Sequence, residues 1–292
     1  MEGMKMLFWA AAFICAPLVC VPCCWGAPPP PTPATLPGGE AHVYRALSPV
    51  PLRLFVFKPV DWKPADRRPA LIWFFGGGWA TGSPDHAVAW TRWAVGQGLV
   101  GVAPDYRVKD RFGSTPLDSV ADARAAVRWV EDHAAELGVD RREIVVGGNS
   151  SGGHLALWTA ISHAPPGSSA EESPTLKPVA LILTSPVSDT SPQAGYTPER
   201  FGPDALALSP VDQLDETMPP VLVFHGDDDQ TVPYRESVAL RDRLMAGRNE
   251  CNLITIPGGS HDYASKSKGG WPRTLMIAHS FLTELGLVSS GN

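Results

Sequence analysis

The sequence predicts an α/β fold in which helices cover both faces of a mostly parallel sheet. Short apolar runs typical of strands alternate along the chain with segments of helical periodicity. The run Ala70–Phe75 is apolar throughout, as expected of a strand that is buried on both faces. With 292 residues, 44% of them hydrophobic, the chain is long enough to bury a large core.

The predicted elements keep this alternation from the first strand to the last helix. Asp118–Leu137, for example, has apolar residues at helical spacing and is followed by Gly138, a typical helix stop. In chain order we predict the strands Val43–Leu47, Leu52–Lys58 and Ala70–Phe75, the helix Val88–Gln97, the strand Leu99–Ala103, the helix Asp118–Leu137, the strand Glu143–Val146, the helix Gly153–Ile161, the strands Val179–Thr184 and Val221–Phe224, the helix Arg235–Met245, the strand Asn252–Ile256 and the helix Pro272–Leu285. The irregular stretch 186–219 is too long for an ordinary connection and predicts a small lid or pocket-forming insertion.

Residues 1–26 have the composition of a secretory signal peptide. Lys5 provides a positive charge, and the apolar stretch that follows is too short for a membrane span and is interrupted by Pro17. Gly26 and Ala27 are small residues of the kind expected at a cleavage site. A lipoprotein signal is the alternative, because four cysteines lie in this segment, although the residues before them fit a lipobox poorly.

The mature chain is then predicted to comprise a proline-rich tether over 27–40 and one folded domain over 41–288. We expect it to be secreted or periplasmic, with no stable membrane span. Only Cys251 remains after cleavage, which excludes an intramolecular disulfide and predicts a buried, inert thiol. The net charge of −6 and the lack of a basic cluster argue against a nucleic-acid partner.

The pentapeptide Gly148-Asn149-Ser150-Ser151-Gly152 has the G-x-S-x-G pattern of a nucleophilic serine. It lies between a predicted strand and a predicted helix, where a sharp turn projects the serine hydroxyl above the sheet edge. The small flanking residues allow a strained backbone and a close approach of helix and strand. Ser151 is the rival nucleophile, but only Ser150 has the central position in the pattern.

Three motifs in the same order resemble those of the hormone-sensitive-lipase-like and acetylxylan- or feruloyl-type serine esterases of the α/β-hydrolase fold. They are Phe75-Gly76-Gly77-Gly78-Trp79, where that family has H-G-G-G-W or H-G-G-G-F, the elbow from Gly148 to Ala156, and the segment from His225 to Pro233, which matches H-G-x-x-D-x-x-V-P. Asp105-Tyr106-Arg107, which follows a predicted strand, is also similar. The resemblance extends from about residue 41 to residue 286 and implies both the fold and the reaction type.

The resemblance implies an oxyanion hole formed by the N–H groups of Gly77, Gly78 and Ser151. Glycine suits this role because it lets a substrate approach the backbone closely. Trp79 is predicted to contact the substrate and to shape the pocket together with the insertion. The leading histidine of the family motif, which braces this loop, is absent, and Phe75 stands at its position.

The catalytic acid must lie between the serine and the base in chain order, which leaves Asp227, Asp228 and Asp229 as candidates. The family spacing selects Asp229. His261, in a loop after the last predicted strand, is the predicted base. No metal-ligand spacing accompanies the three acids, so neither a metal nor another cofactor is expected. Structural or packing roles are predicted for the histidines His154, His225 and His279.

These residues together predict acyl transfer through a covalent acyl-enzyme on Ser150. The predicted substrate is a small ester or an acylated carbohydrate, with short acyl groups such as acetyl on xylan. A general short-chain carboxylesterase, a serine peptidase or amidase on the same fold, and a non-catalytic binding module are the alternatives. Peptidases of this type usually carry an extra propeller domain, and binding modules typically lack a triad residue. The oligomeric state is left open.

Overall fold

Eight strands form one sheet in the computed structural model of the protein, which describes residues 32–48, 50–166, 173–263 and 270–289. The strands are β1 (Glu40–Arg45), β2 (Leu52–Phe57), β3 (Arg68–Phe74), β4 (Val100–Pro104), β5 (Val139–Asn149), β6 (Ala180–Thr184), β7 (Val221–Gly226) and β8 (Cys251–Ile256). Their spatial order is β1-β2-β4-β3-β5-β6-β7-β8. The pairs β1/β2 and β2/β4 are antiparallel and the others are parallel, so the predicted mostly parallel sheet is confirmed.

The helices in the described ranges are α1 (Val88–Gly96), α2 (Lys109–Phe112), α3 (Pro116–Asp132), α4 (Ala134–Leu137), α5 (Ser151–Ala160), α6 (Pro210–Gln213), α7 (Arg235–Ala246) and α8 (Gly270–Glu284). Side chains of β3 alternate between two apolar clusters. Ile72 faces a cluster with residues of α3, α5 and α7, and Trp73 faces one with residues of α1 and α8. Helices therefore cover both faces, as the alternation of strands and helices predicts.

The helix predicted at Asp118–Leu137 is divided in the structure. The first part, α3, begins with a capping box in which the Thr115 hydroxyl accepts the Asp118 N–H and the Asp118 carboxylate accepts the Thr115 N–H. The second part, α4, ends at Gly138, whose φ of +65° favours glycine and whose added Cβ would lie 2.6 Å from the Trp62 indole nitrogen. Apolar spacing alone did not reveal the break between the two helices.

The N-terminal boundaries differ in part from the prediction. Residues 1–26, predicted as a signal peptide, lie outside the described residues. Part of the predicted tether is packed, because Leu36 is buried in the cluster that contains Phe57 and the Thr32 hydroxyl accepts a hydrogen bond from Arg111 at 2.6 Å. The tether is therefore anchored to the domain at Thr32 and Leu36, while Ala34, Thr35, Pro37 and Gly38 are exposed, as expected of a tether. No helix in the described ranges has the length and apolar character needed to cross a membrane.

The stretch 186–219 contains α6 and two short 3₁₀ turns, Pro198–Arg200 and Gly202–Asp204. It packs on the elbow helix α5, where the Leu208 carbonyl accepts hydrogen bonds from the rings of His154 and Trp158. Phe201, Ala205 and Leu208 are buried in this packing. The stretch is thus a segment packed on the domain, and its role in forming a pocket stays a prediction.

A buried carboxylate anchors the start of this segment. Glu236, on α7, accepts the backbone N–H groups of Ser188 at 3.0 Å and Asp189 at 2.7 Å. Its side chain is almost fully buried, and burial outweighs these two hydrogen bonds and raises the pKa of Glu236 to about 7.

We expect this carboxyl group to make stability depend on pH. Between its ordinary pKa of 4.5 and its folded value of about 7, the native state holds a proton that the unfolded chain has lost. The stability that this group contributes is fully present below pH 4.5 and is lost as the pH rises through about 7. Over that window the free energy of unfolding falls by up to about 3 kcal/mol. The side chain of Glu236→Gln stays neutral at every pH. The free energy of unfolding of this variant should therefore increase relative to that of wild type as the pH rises from about 5 to 8.

Urea unfolding of both proteins across that range measures the difference between them, in which the titrations of other groups cancel. Glu199→Gln, at an exposed position in the stretch 186–219 that Glu236 anchors, is the matched control. Its free energy of unfolding should change with pH as that of wild type does. A difference between Glu236→Gln and wild type that does not vary with pH would contradict the raised pKa.

Candidate active site

Ser150 stands at the turn between β5 and α5, with φ +54° and ψ −123°, a backbone conformation that L-residues rarely adopt. Its N–H donates to the carbonyl of Thr184 on β6 at 3.0 Å. Its own carbonyl accepts the N–H groups of Gly153, His154 and Val187 at 3.0, 3.3 and 3.2 Å. The elbow is therefore fixed through the backbone to the neighbouring strand, to the elbow helix and to the segment after β6.

The glycines on either side of Ser150 are needed for close packing. A Cβ on Gly148 would lie 2.3 Å from the carbonyl oxygen of Gly152, and one on Gly152 would lie 2.2 Å from that of Phe74. Both distances are far inside van der Waals contact. The prediction that small flanking residues permit a close approach of helix and strand is confirmed.

The predicted acid and base lie in direct contact. His261 Nδ1 is 2.7 Å from Asp229 Oδ2, and the other carboxylate oxygen, Oδ1, accepts the N–H groups of Thr231 and Val232 at 2.8 and 2.9 Å. Burial alone would raise the pKa of Asp229, but hydrogen bonds from His225 and His261 and from the backbone outweigh it and hold that pKa well below the ordinary value. The carboxyl group is thus charged and oriented.

His225 is a second histidine on the same carboxylate. Its Nε2 lies 3.1 Å from Asp229 Oδ2 and 3.0 Å from the carbonyl of Val232, and its Nδ1 lies 2.6 Å from the hydroxyl of Ser237. Both contacts of Nε2 are acceptors, so the network assigns the proton to Nε2 and makes Nδ1 the acceptor from Ser237. The predicted structural role of His225 therefore includes holding Asp229. Ser237, on α7, has no sequence signal that could have identified it.

The two neighbouring acids point elsewhere. Asp227 accepts the N–H of Gly258 at 2.6 Å, and Asp228 accepts the side-chain amide of Gln230 at 2.9 Å. Of the three candidates only Asp229 contacts His261. In the part of the chain that the structure describes, no group of three or more His, Cys, Asp or Glu side chains is arranged to hold a metal ion.

The three predicted oxyanion donors differ in their surroundings. Gly78 N–H donates to the Ser151 hydroxyl at 2.9 Å, whereas Gly77 N–H makes no hydrogen bond to a described residue. Ser151 is the first residue of α5, so its N–H has no acceptor within the helix. Gly77 has φ +140°, and an added Cβ would lie 2.2 Å from the carbonyl of Thr81, which requires glycine at this position. The oxyanion roles of these residues stay predictions.

Other contacts brace this loop in place of the missing histidine. Phe75, at the histidine's position, stacks on Tyr106 with ring centroids 4.1 Å apart, and the Tyr106 hydroxyl donates to the Phe75 carbonyl at 2.8 Å. Gly76 N–H donates to the Asn149 side chain at 3.0 Å. On the outer side, Arg200 donates to the carbonyl of Gly78 at 3.1 Å. Sequence reasoning missed Asn149 and Arg200, whose partners are 73 and 122 positions away.

Trp79 lies inside the protein and is only 2% exposed. Its ring meets His154 and Phe201 edge-on, with centroids 5.1 and 4.8 Å apart. Its indole nitrogen has no hydrogen-bond partner among the described residues. Contact of Trp79 with a substrate stays a prediction. The observed contacts make it the bridge between the Gly76–Gly78 loop, the elbow helix and the insertion.

A cavity of about 540 Å³ opens beside His261. Its walls include Trp73 and Trp90, and it extends to Trp271 at the start of α8. Asn149, which directly precedes Ser150, also lines it. Neither Trp79 nor any described residue of 186–219 contributes to the lining, so this space lies on the α1 and α8 side of the site.

The sheet, the serine elbow and the Asp229–His261 pair define an α/β-hydrolase. The chain belongs to the BD-FAE family, whose model matches residues 58–175 and 194–244. The resemblance to serine esterases of the α/β-hydrolase fold that the motifs indicate is confirmed by this match and by the relatives described next.

Solved structures of esterase 2 from Thermogutta terrifontis are similar along almost their whole length. The butyrate-bound form is 36% identical with a TM-score of 0.81 and covers 88% of this chain and 97% of its own. Carboxylesterase NlhH of Mycobacterium tuberculosis is 35% identical over 40% of this chain, and esterase LipC of the same organism is 29% identical over 70%. The chain spans only 35% and 55% of the lengths of these two curated relatives.

We expect Asp229→Asn to lower kcat for ester hydrolysis by about 10⁴, because an amide cannot hold the imidazole in the same tautomer or stabilise its charged form. Hydrolysis of a nitrophenyl ester by the purified variant measures the loss. Circular dichroism of the same samples checks that the fold is retained.

Asp227→Asn and Asp228→Asn are the matched controls, since each retains a side-chain oxygen acceptor and neither carboxylate contacts His261. Both should keep activity close to that of wild type. Equal losses in all three variants would remove the distinction that the geometry makes between these aspartates.

Proposed function

We propose that this protein is a serine carboxylic ester hydrolase, with Ser150 as nucleophile, His261 as base and Asp229 as the orienting acid. The observation that carries this proposal is the 2.7 Å contact of His261 with a buried, charged Asp229 at the same sheet edge as a strained serine elbow. The relatives named as esterases support the same reaction class.

In the proposed reaction, Asp229 binds Nδ1 of His261 and leaves Nε2 to accept the proton of Ser150. The serine oxygen attacks the ester carbonyl, and the oxyanion is bound by the N–H groups of Gly77 and Ser151. The N–H of Gly78 breaks its hydrogen bond to the Ser151 hydroxyl and donates to the oxyanion instead. His261 then protonates the leaving alcohol, and water hydrolyses the acyl-enzyme by the reverse sequence of proton transfers.

The proposed substrates are esters of short acyl groups, above all acetyl, on xylan or another carbohydrate. Trp79 and Phe201 pack together behind the glycine loop, and Arg200 covers its outer side, which supports a small space for the acyl chain. Structures of the Thermogutta esterase have propionate and butyrate bound, and a 27% identical relative from Pseudomonas putida is an ethyl acetate hydrolase. A general short-chain carboxylesterase is the broader form of the same proposal.

A series of nitrophenyl esters from acetyl to decanoyl, together with acetylated xylan, tests this function. We expect activity to fall steeply beyond about four acyl carbons, by steric exclusion and not by lost affinity, since each methylene that fits contributes only about 1 kcal/mol. Ser150→Ala should lose about 10⁴ to 10⁶ in rate on every ester.

Paraoxon labelling gives a second readout, because the Thermogutta esterase has been crystallised in a form phosphorylated by paraoxon. The intact mass of wild type should increase by one organophosphoryl group, and that of Ser150→Ala should not. Substantial esterase activity or labelling of Ser150→Ala would transfer the nucleophile's role to another residue, with Ser151 as the first candidate.

We also propose that the protein is exported through residues 1–26 and acts in the periplasm or outside the cell. The positive residue, the short apolar stretch and the small residues at Gly26 and Ala27 support this proposal. In a Gram-negative host, the N-terminus of the periplasmic protein should begin at Ala27. An unprocessed protein that stays in the cytoplasm would contradict export, and a lipid-modified cysteine at the N-terminus would establish the lipoprotein alternative.

A further inference from the structure

We propose that the side-chain hydroxyl of Ser151 is a competing acceptor in the oxyanion hole, which holds the N–H of Gly78 in the free enzyme and thereby limits the rate of ester hydrolysis. This proposal rests on the proposed esterase function and concerns the same site. It gives Ser151 two opposed effects: its backbone N–H is a predicted oxyanion donor, whereas its hydroxyl competes with the oxyanion for a second donor.

The hydroxyl of Ser151 is fixed in a buried chain of hydrogen bonds. It accepts the N–H of Gly78 at 2.9 Å. Burial raises the pKa of Tyr106, and a hydrogen bond from the Ser151 hydroxyl opposes this rise. The single proton of Tyr106 is donated to the carbonyl of Phe75 at 2.8 Å. The Ser151 proton therefore points to Tyr106, and the Ser151 oxygen presents its lone pairs to Gly78.

All the hydrogen bonds of this chain run in one direction, from Gly78 through Ser151 and Tyr106 to Phe75. Each donor in such a chain polarises the next acceptor, and the effect is stronger where water is excluded. Ser151 and Tyr106 are both fully buried. The Ser151 oxygen is therefore a better acceptor than an isolated hydroxyl, and the bond from Gly78 must be broken each time an oxyanion forms.

The glycine loop has supports that do not pass through this hydroxyl. The N–H of Gly76 donates to the Asn149 side chain at 3.0 Å, and Arg200 donates to the carbonyl of Gly78 at 3.1 Å. Removing the Ser151 hydroxyl should therefore leave the loop in place and make the N–H of Gly78 available to the oxyanion. This sets the direction of the expected effect, which is a faster enzyme.

Ser151→Ala tests the proposal, because it keeps the backbone N–H and removes the competing acceptor. We expect kcat/KM for nitrophenyl acetate and butyrate to rise by roughly two- to tenfold, the effect of one neutral hydrogen bond. Thr159→Val is the matched control and should behave as wild type. It removes a buried hydroxyl from the same helix, one that donates to the carbonyl of Ala156 at 2.7 Å.

A trifluoromethyl ketone separates an effect on the oxyanion from other causes of a faster rate. The Ser150 oxygen adds to the ketone carbon, its proton passes to His261, and the carbonyl electron pair moves to the ketone oxygen as an oxyanion. Because this adduct resembles the transition state, its inhibition constant for Ser151→Ala should fall by the same factor by which kcat/KM rises.

Amide hydrogen exchange tests the contact without turnover, by NMR of protein that contains isotope-labelled glycine. Gly77 and Gly78 are neighbours and are both partly exposed, but the N–H of Gly77 makes no hydrogen bond to a described residue. In wild type the N–H of Gly78 should therefore exchange more slowly than that of Gly77. Ser151→Ala should remove the difference.

Each other outcome decides one point. A kcat/KM of Ser151→Ala that is unchanged or lower would overturn the proposal, and so would a rise without tighter binding of the ketone. Equal exchange of the two glycines in wild type would overturn it even if the variant does not fold. Wild type that neither hydrolyses the esters nor binds the ketone would instead refute the esterase function, so the two failures are distinguishable.

Discussion

The backbone conformation of Ser150 is the constraint on which the rest of the site depends. Its positive φ costs of the order of 1–3 kcal/mol and persists only because the surroundings determine it fully. Four backbone hydrogen bonds do so, connecting Ser150 to Thr184, to the first turn of α5 and to Val187. Because β5, β6 and α5 meet at this residue, the register of the parallel strands directly sets where the serine hydroxyl lies.

The charge at Asp229, like the backbone of Ser150, is an unfavourable state that surrounding hydrogen bonds stabilise. Burial disfavours a charged carboxylate, so it persists only where enough donors are directed at it. Asp229 has two donors on each oxygen: Thr231 and Val232 on one, and His225 and His261 on the other. They belong to the end of β7, to the loop after it and to the loop after β8, so strands at the same sheet edge as the serine elbow position the acid and the base.

The sequence by itself determined the features that depend on local geometry and on chain order. Uniformly apolar runs predicted the parallel strands, and the strand–serine–helix pattern identified the elbow, whose glycines are sterically required. The order of serine, acid and base limited the acid to three adjacent aspartates, and the spacing of the family motif selected Asp229, the one that contacts His261. Two features were not predicted because a second local signal hides them. The break between α3 and α4 lies within one continuous apolar stripe, and the buried Leu36 lies within a proline-rich stretch that is typical of an unpacked segment.

The tertiary structure decided every contact between segments distant in the chain. Asn149 with Gly76 and Arg200 with Gly78 connect positions 73 and 122 residues apart, and no periodicity or spacing encodes such pairs. The same holds for Phe75, which replaces a polar brace with stacking on Tyr106. The cavity beside His261 exists only because α1 and α8 converge on one face of the sheet. The physical reason is that backbone preferences act over a few residues, whereas the shape of a site is set by side chains that packing brings together.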